Sequence, residues 1–216
     1  MDLDAGPEQQ RAEVEQVRSL LDWKRRVLDV YRAARDEAVP ERGWRLWREG
    51  RDALFRDHPQ SPLPPNARAS FSGLEYFPYD PSLRVLAVVE PATHERVEIG
   101  ASTGAPVAFE RFGQARFPLD RESASLDLYW LDGYGGGLFL PFTDSTSGAE
   151  TYGAGRYLLD TVKGADLGWN GGRLVLDLNF AYNPSCVYDP RWACPLAPPG
   201  NRLAVSVRGG ELAYES

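Results

Sequence analysis

The hydrophobic period of this chain changes once, across "HPQSPLPPN" (residues 58–66), and that change limits the folds open to it. Before the joint the spacing is helical. From Glu8 to Glu37 apolar residues fall at Val14, Val17, Leu21, Leu28 and Tyr31, with Leu20 and Val27 beside them, which predicts an amphipathic helix. Pro40 and Gly43 punctuate it, and "WRLWREGRDALF" brings Trp44, Trp47, Leu54 and Phe55 toward one face of a second helix. Two helices in sequence cannot bury these stripes on their own.

After Asn66 the pattern alternates. Strands are predicted at Phe71 to Phe77, Arg84 to Glu90, Glu95 to Ile99, Val107 to Phe112, Ala115 to Leu119, Ser125 to Leu131, Gly137 to Phe142, Gly155 to Asp160, Arg173 to Phe180 and Leu203 to Val207. Hairpin turns are expected at Gly113-Gln114 and in "WNGGRL". No helix alternates with these strands, so a Rossmann arrangement is not indicated, and "GYGGG" lies between strands where no phosphate loop would form. The expected fold class is α+β, mainly β: an N-terminal helical pair packed on an antiparallel β-sandwich or barrel. Residues 1–57 would form the helical arm and 66–216 the β domain, joined through a short linker into one folded unit.

Composition narrows the partners. A formal net charge of −7 opposes a sequence-independent grip on nucleic-acid phosphates. The opening "MDLDAGPEQQRAEVEQ" lacks the apolar centre of a secretory signal, and no later run approaches the roughly 20 apolar residues that span a bilayer. The expectation is a soluble, cytoplasmic chain with no nucleic-acid or membrane partner. With only His58 and His94, both outside any catalytic setting, Ser-His-Asp and Cys-His mechanisms are disfavoured, and no cofactor is implied.

Polar residues cluster late in the chain. Alternation through "RLVLDLNFAY" would place Leu174, Leu176, Leu178 and Phe180 on one strand face, with Asp177 and Asn179 together on the other, roughly 6–7 Å apart. That face could be solvated, a pocket wall or a buried network. Arg156 in "GRYLLD" could pair with Asp177 or receive an anion, and the loop "DSTSGAETYG" brings Asp144, Glu150 and Tyr152. Beyond the strand, "NFAYNPSCVYDPRWACPLAPPGNRL" is stiffened by proline. Its cysteines, Cys186 and Cys194, stand in C-x7-C spacing, which is neither a zinc knuckle nor a C-x-x-C redox motif. A disulfide and two packed thiols are both compatible with it, and zinc would need further ligands such as Asp177 or Asp189.

The passages "GGLFLPFTDSTSGAETYGAGRYLLD" and "LVLDLNFAYNPSCVYDPRWACPLAPPGNRLAVSVRGGE" resemble the family catalogued as domain of unknown function 1684. The similarity extends to the Trp-rich helices and the "HPQSPL" joint. The family has no established biochemical role, so what the resemblance implies is a set of recurring polar positions, here including Asp144, Glu150, Tyr152, Arg156, Asp177, Asn179, Tyr182, Asn183, Tyr188 and Glu211.

Three functions follow from these residues. The first is binding of a small polar or anionic molecule by Asp144, Glu150, Tyr152, Arg156, Asp177, Asn179, Tyr182 and Asn183, with the 144–156 loop folded over the Asp177 face. A hydrolase would use Asp177 or Glu150 as general base, with Arg156 or Tyr152 stabilising negative charge. An interaction module would present the tryptophans of the arm to a partner.

Overall fold

The computed structural model describes residues 6–214; the first five residues of the arm and the last two of the chain lie outside it. Two long helices open the fold, α1 (Pro7–Asp36) and α2 (Pro40–Asp57), followed by a short α3 (Pro65–Ala69). Each begins on proline, whose missing N–H costs nothing in the first turn and whose fixed φ suits a helix start. The strands are β1 (Arg84–Ile99), β2 (Val107–Leu119), β3 (Glu122–Leu131), β4 (Leu138–Phe142), β5 (Arg156–Asp160), β6 (Trp169–Asn170) and β7 (Arg173–Asp177). They form one antiparallel sheet in the order β5-β4-β3-β2-β1-β7-β6, curled into a half-barrel. The α+β class is therefore as expected, and the β part is a single curled sheet.

Several predicted strands merge. The runs at Arg84–Glu90 and Glu95–Ile99 are one strand whose register shifts between Pro91 and Glu95. The turn expected at Gly113-Gln114 is absent, because β2 continues through it with a register shift between Arg111 and Gly113. A Cβ on Gly113 would lie 3.0 Å from the Glu90 carbonyl oxygen, so this glycine marks a close approach of two strands. The true hairpin lies at Asp120-Arg121, both in the left-handed region, and the expected turn at Gly171-Gly172 links β6 to β7. The segments around Phe71–Phe77 and Leu203–Val207 make only isolated bridges, Tyr76 with Glu211 and Arg202 with Thr143.

The short strands β4, β5 and β7 are buried on both faces and read as nearly continuous apolar runs, whereas the long strands β1, β2 and β3 keep many polar, part-exposed residues. Phe117, Leu126, Leu140, Phe142, Leu158, Leu174 and Leu176 pack on one side with Leu203 and Val207 of the C-terminal crossing. Phe109, Tyr129, Phe139 and Tyr157 pack on the other with Tyr31, Trp44 and Trp47 of the helices and with Phe180 and Tyr182. Trp47 is fully buried, 4.9 Å from the Phe180 ring, and the Trp44 Nε1–H donates to the Asn179 carbonyl at 2.9 Å. Trp44 and Trp47 thus face the core, whereas Trp23 of the same arm is only partly buried.

The apolar stripe of α1 also differs from its sequence reading. Tyr31 and Ala34 are buried, while Val14, Val17 and Leu21 remain exposed because α2 reaches only the C-terminal half of α1, and Leu28, which lies against Gly164, is half-exposed. There the helices approach closely: a Cβ on Gly43 would stand 2.7 Å from the Ala34 carbonyl oxygen. No described helix is long and apolar enough to cross a membrane.

Candidate ligand site

The polar residues singled out in the sequence fall into separate buried networks. In the first, Arg156 lies on β5 and is almost completely buried. Its Nη2 donates to Asp144 Oδ2 at 2.9 Å and to the Val207 carbonyl at 3.0 Å, and its Nη1 reaches the carbonyls of Gly209 and Glu211. Asp144 Oδ1 accepts from the Thr146 N–H at 2.8 Å, its hydroxyl at 2.7 Å, and the Val207 N–H at 3.2 Å. Burial pushes the Arg156 pKa down, opposed by Asp144. This arginine does not meet Asp177; it staples residues 207–211 to the β4–β5 hairpin.

A second network contains Asp177 and Asn179. Alternation stops at Asp177, where the chain enters a 3-10 turn, Leu178–Phe180, so the two side chains do not project in parallel from a strand. Asp177 Oδ1 instead accepts from the Asn179 N–H at 3.1 Å and its Nδ2 at 2.8 Å. Asp177 Oδ2 accepts from the Tyr79 hydroxyl at 3.3 Å and stands 3.6 Å from Arg84 Nη1. Asn179 in turn holds the Asp80 backbone through both amide atoms, at 2.9 and 2.8 Å. Of the three readings of this face, the buried network is the one observed. The 144–156 loop does not fold over it. Glu150 pairs with Arg208 at 2.7 Å on the surface, and Tyr152 lies half-buried near Cys186.

The third network, centred on Glu211, was not assembled from sequence. Its Oε1 accepts from Arg51 Nε at 3.0 Å and the Tyr76 hydroxyl at 3.3 Å. Its Oε2 accepts from the Tyr188 hydroxyl at 2.8 Å and the Asn183 N–H at 2.6 Å. The only sequence signal for Arg51 is its place between Trp47 and Phe55 at helical spacing, and its guanidinium indeed lies 5.2 and 5.1 Å from those ring centroids.

Two small cavities lie in this region, the first of them beside this network. One, ≈60 Å³, lies between the helices and the crossing and is lined by Tyr31, Arg51, Tyr182, Asn183 and Tyr188, among others. The other, ≈160 Å³ and apolar, is lined by Val107, Phe109, Leu131, Phe139 and Pro195. Tyr157 and Lys163 line both. The Tyr157 ring is 4.8 Å from Phe139 and 5.8 Å from Tyr182, and its hydroxyl donates to the Pro195 carbonyl. Lys163 Nζ pairs with Asp160 Oδ2 at 2.9 Å. Asn183 Oδ1 is buried without a hydrogen-bond partner in the protein, and the buried Tyr31 hydroxyl has Trp47 Nε1–H beside its oxygen but no acceptor for its own proton. Burial raises the pKa of Tyr31, Tyr157 and Tyr182, so these phenols remain protonated and cannot serve as bases.

The profile of the family described as "Protein of unknown function (DUF1684)" matches residues 69–212. The chain belongs to this family. The match begins after the helices, so the Trp-rich segment and the "HPQSPL" joint fall outside it, a narrower extent than the sequence suggested. Among solved structures, the chain is similar to the solution NMR structure of an uncharacterized protein from gene locus rrnAC0354 of Haloarcula marismortui. The identity is 35%, the TM-score 0.56, and the similarity covers 76% of this chain and 89% of that one. No curated protein matches.

In this DUF1684 chain, then, only Tyr182 and Asn183 of the eight expected ligand residues line the aromatic cavities; Asp144, Arg156, Asp177 and Asn179 are committed to internal networks. Tyr31, Arg51, Tyr157 and Lys163 were missed because they come from four separate elements, and no local motif joins them. Among the described residues no group of three or more His, Cys, Asp or Glu side chains is placed to hold a metal. Cys186 and Cys194 are free thiols, with the Cys186 N–H donating to Cys194 Sγ at 3.3 Å.

Proposed function

We propose that the protein binds a small amphipathic molecule, an apolar ring or short chain with a hydrogen-bonding head group, in the aromatic cavities beside Tyr157. The observation that carries this reading is the buried Tyr31 hydroxyl whose proton has no acceptor in the protein, in a cavity that shares Tyr157 and Lys163 with an apolar neighbour. An unpaired buried donor is costly, and a ligand acceptor would satisfy it. Asn183 Oδ1 offers an acceptor for a ligand hydroxyl or amide, although Asn183 also edges a larger groove formed with residues 64–75. The apolar cavity of ≈160 Å³ suits a benzene-sized group, since about 150 Å³ accommodates benzene. Lys163 is paired with Asp160 and Arg51 with Glu211, so the surroundings are close to neutral and favour a neutral or singly charged head group.

A hydrolase reading finds less support, because Glu150 and Asp177 line neither cavity. Ligand-observed NMR with phenol, benzyl alcohol, benzamide and benzoate tests the proposal. Binding by at least one probe is expected with wild type, and Val107→Trp, which fills the apolar cavity, should weaken it by roughly tenfold or more. Silence from all four probes, or equal binding by a folded Val107→Trp variant, would refute it.

A further inference from the structure

Cys186 and Cys194 occupy hydrogen-bonded ends of the proline-rich crossing, and their surroundings differ. Cys186 is half-buried in the single turn Ser185–Val187, braced by the Val187 N–H to Pro184 carbonyl bond at 3.0 Å. Cys194 is buried and pinned to residues 100–102: its N–H donates to Ser102 Oγ at 3.1 Å, and its carbonyl accepts from the Ser102 N–H at 2.9 Å. The next residue, Pro195, pairs with Ala101. Two anchored backbones thus hold one partly accessible thiol against one sheltered thiol. That is the geometry of an attacking and a resolving cysteine.

We infer that Cys186 and Cys194 form a reversible dithiol–disulfide couple that exchanges with low-molecular-weight disulfides. The Cys186 thiolate attacks one sulfur of a disulfide RSSR, forming a Cys186–S–S–R bond and releasing one RS⁻. Cys194 then gives up its proton, and its sulfur attacks Cys186 Sγ, forming the Cys186–Cys194 bond and displacing the second RS⁻. The protein loses two electrons and two protons; RSSR gains them as two RSH. The reverse sequence, driven by a thiol, restores the dithiol.

The electrostatics support this order of events. Hydrogen bonding from Cys194 holds the Cys186 thiol down at about 6 despite partial burial, with Ser102 and Tyr152 assisting. The same contact and burial push Cys194 up, while Lys163 acts in the opposite direction and favours its anion when it attacks. The inference does not depend on the ligand cavities.

The test uses the reduced, full-length chain in glutathione buffers, with thiols counted by alkylation and mass spectrometry. Wild type should lose both thiols together, with the peptides of Cys186 and Cys194 linked after digestion. Cys194→Ser should stop at a glutathione adduct on Cys186, and Cys186→Ser should react at least tenfold more slowly. Alkylation of wild-type Cys186 by iodoacetamide, followed by peptide mapping, should reach half its maximal rate near pH 6 rather than near the pH of about 8.5 expected of a free thiol. Persistence of both thiols in glutathione disulfide, a stable wild-type adduct that never closes, or faster modification of Cys194 would each overturn the assignment; the wild-type measurements decide it even if a variant fails to fold.

Discussion

A carboxylate taken out of water keeps its charge only where enough donors replace the solvent. Asp177 has four donor groups from three residues near its two oxygens, yet burial outweighs them and raises its pKa, with Asn179, Arg84 and Tyr79 acting in the opposite sense. The sign of the consequence is fixed by linkage. Below about pH 3.9 the carboxyl is protonated in both folded and unfolded chains, and as pH rises the unfolded chain ionises first, so the folded state loses stability through the folded pKa. Asp177→Asn removes this dependence. Urea denaturation between pH 4 and 7 should therefore show wild type losing ground to Asp177→Asn as pH rises; a difference that stays flat or runs the other way would remove burial as the dominant influence on Asp177. The sequence marked Asp177 and Asn179 as unusual for a strand, and they are. It could not show that the strand ends at Asp177, because Leu178 and Phe180 continue the apolar alternation through a 3-10 turn. One change of backbone conformation turned an imagined pocket face into a cap.

Among the elements, the helices were more legible than the strands. Helical periodicity is local and repeats over many turns, so α1 could be read within a residue of its observed bounds, while α2 begins four residues before the run read as helical because Pro40 and Gly43 lie inside it. Strand joins depend on partners distant in sequence: Gly113 looked like a turn but serves the approach of β2 to the Glu90 carbonyl. Gly43 plays the same part between helices, with the Ala34 carbonyl oxygen 2.7 Å from the position of an added Cβ. Alanine would gain about 1 kcal/mol in helix propensity, but overpacking against backbone costs about 1–3 kcal/mol. Gly43→Ala should consequently be neutral to destabilising by up to about 2 kcal/mol in urea denaturation. A clearly stabilised Gly43→Ala variant would mean that the α1–α2 crossing yields freely, and that the helix pair is less tightly set than its glycines imply.

At the scale of the whole molecule, Glu211 joins segments that no local pattern connects: Arg51 from α2, Tyr76 from the segment before β1, and Asn183 and Tyr188 from the crossing. The cavity between the helices and the crossing lies beside this junction, so whatever holds it together also shapes that part of the candidate site. The two partners of its ion pair are not equivalent. Without Arg51, Glu211 would still accept from two phenols and a backbone N–H. Without the carboxylate, Arg51 would keep the faces of Trp47, Phe55 and Tyr182 and its contact with the Tyr76 hydroxyl, while the other three donors would contend with a weaker acceptor or none. Breaking a buried pair by removing one member typically costs about 3–5 kcal/mol. Glu211→Gln should fall in that range and Arg51→Met below it, both measured by urea denaturation with tryptophan fluorescence. If Arg51→Met proves the more damaging, the arginine and its aromatic neighbours hold the junction, and Glu211 merely neutralises it.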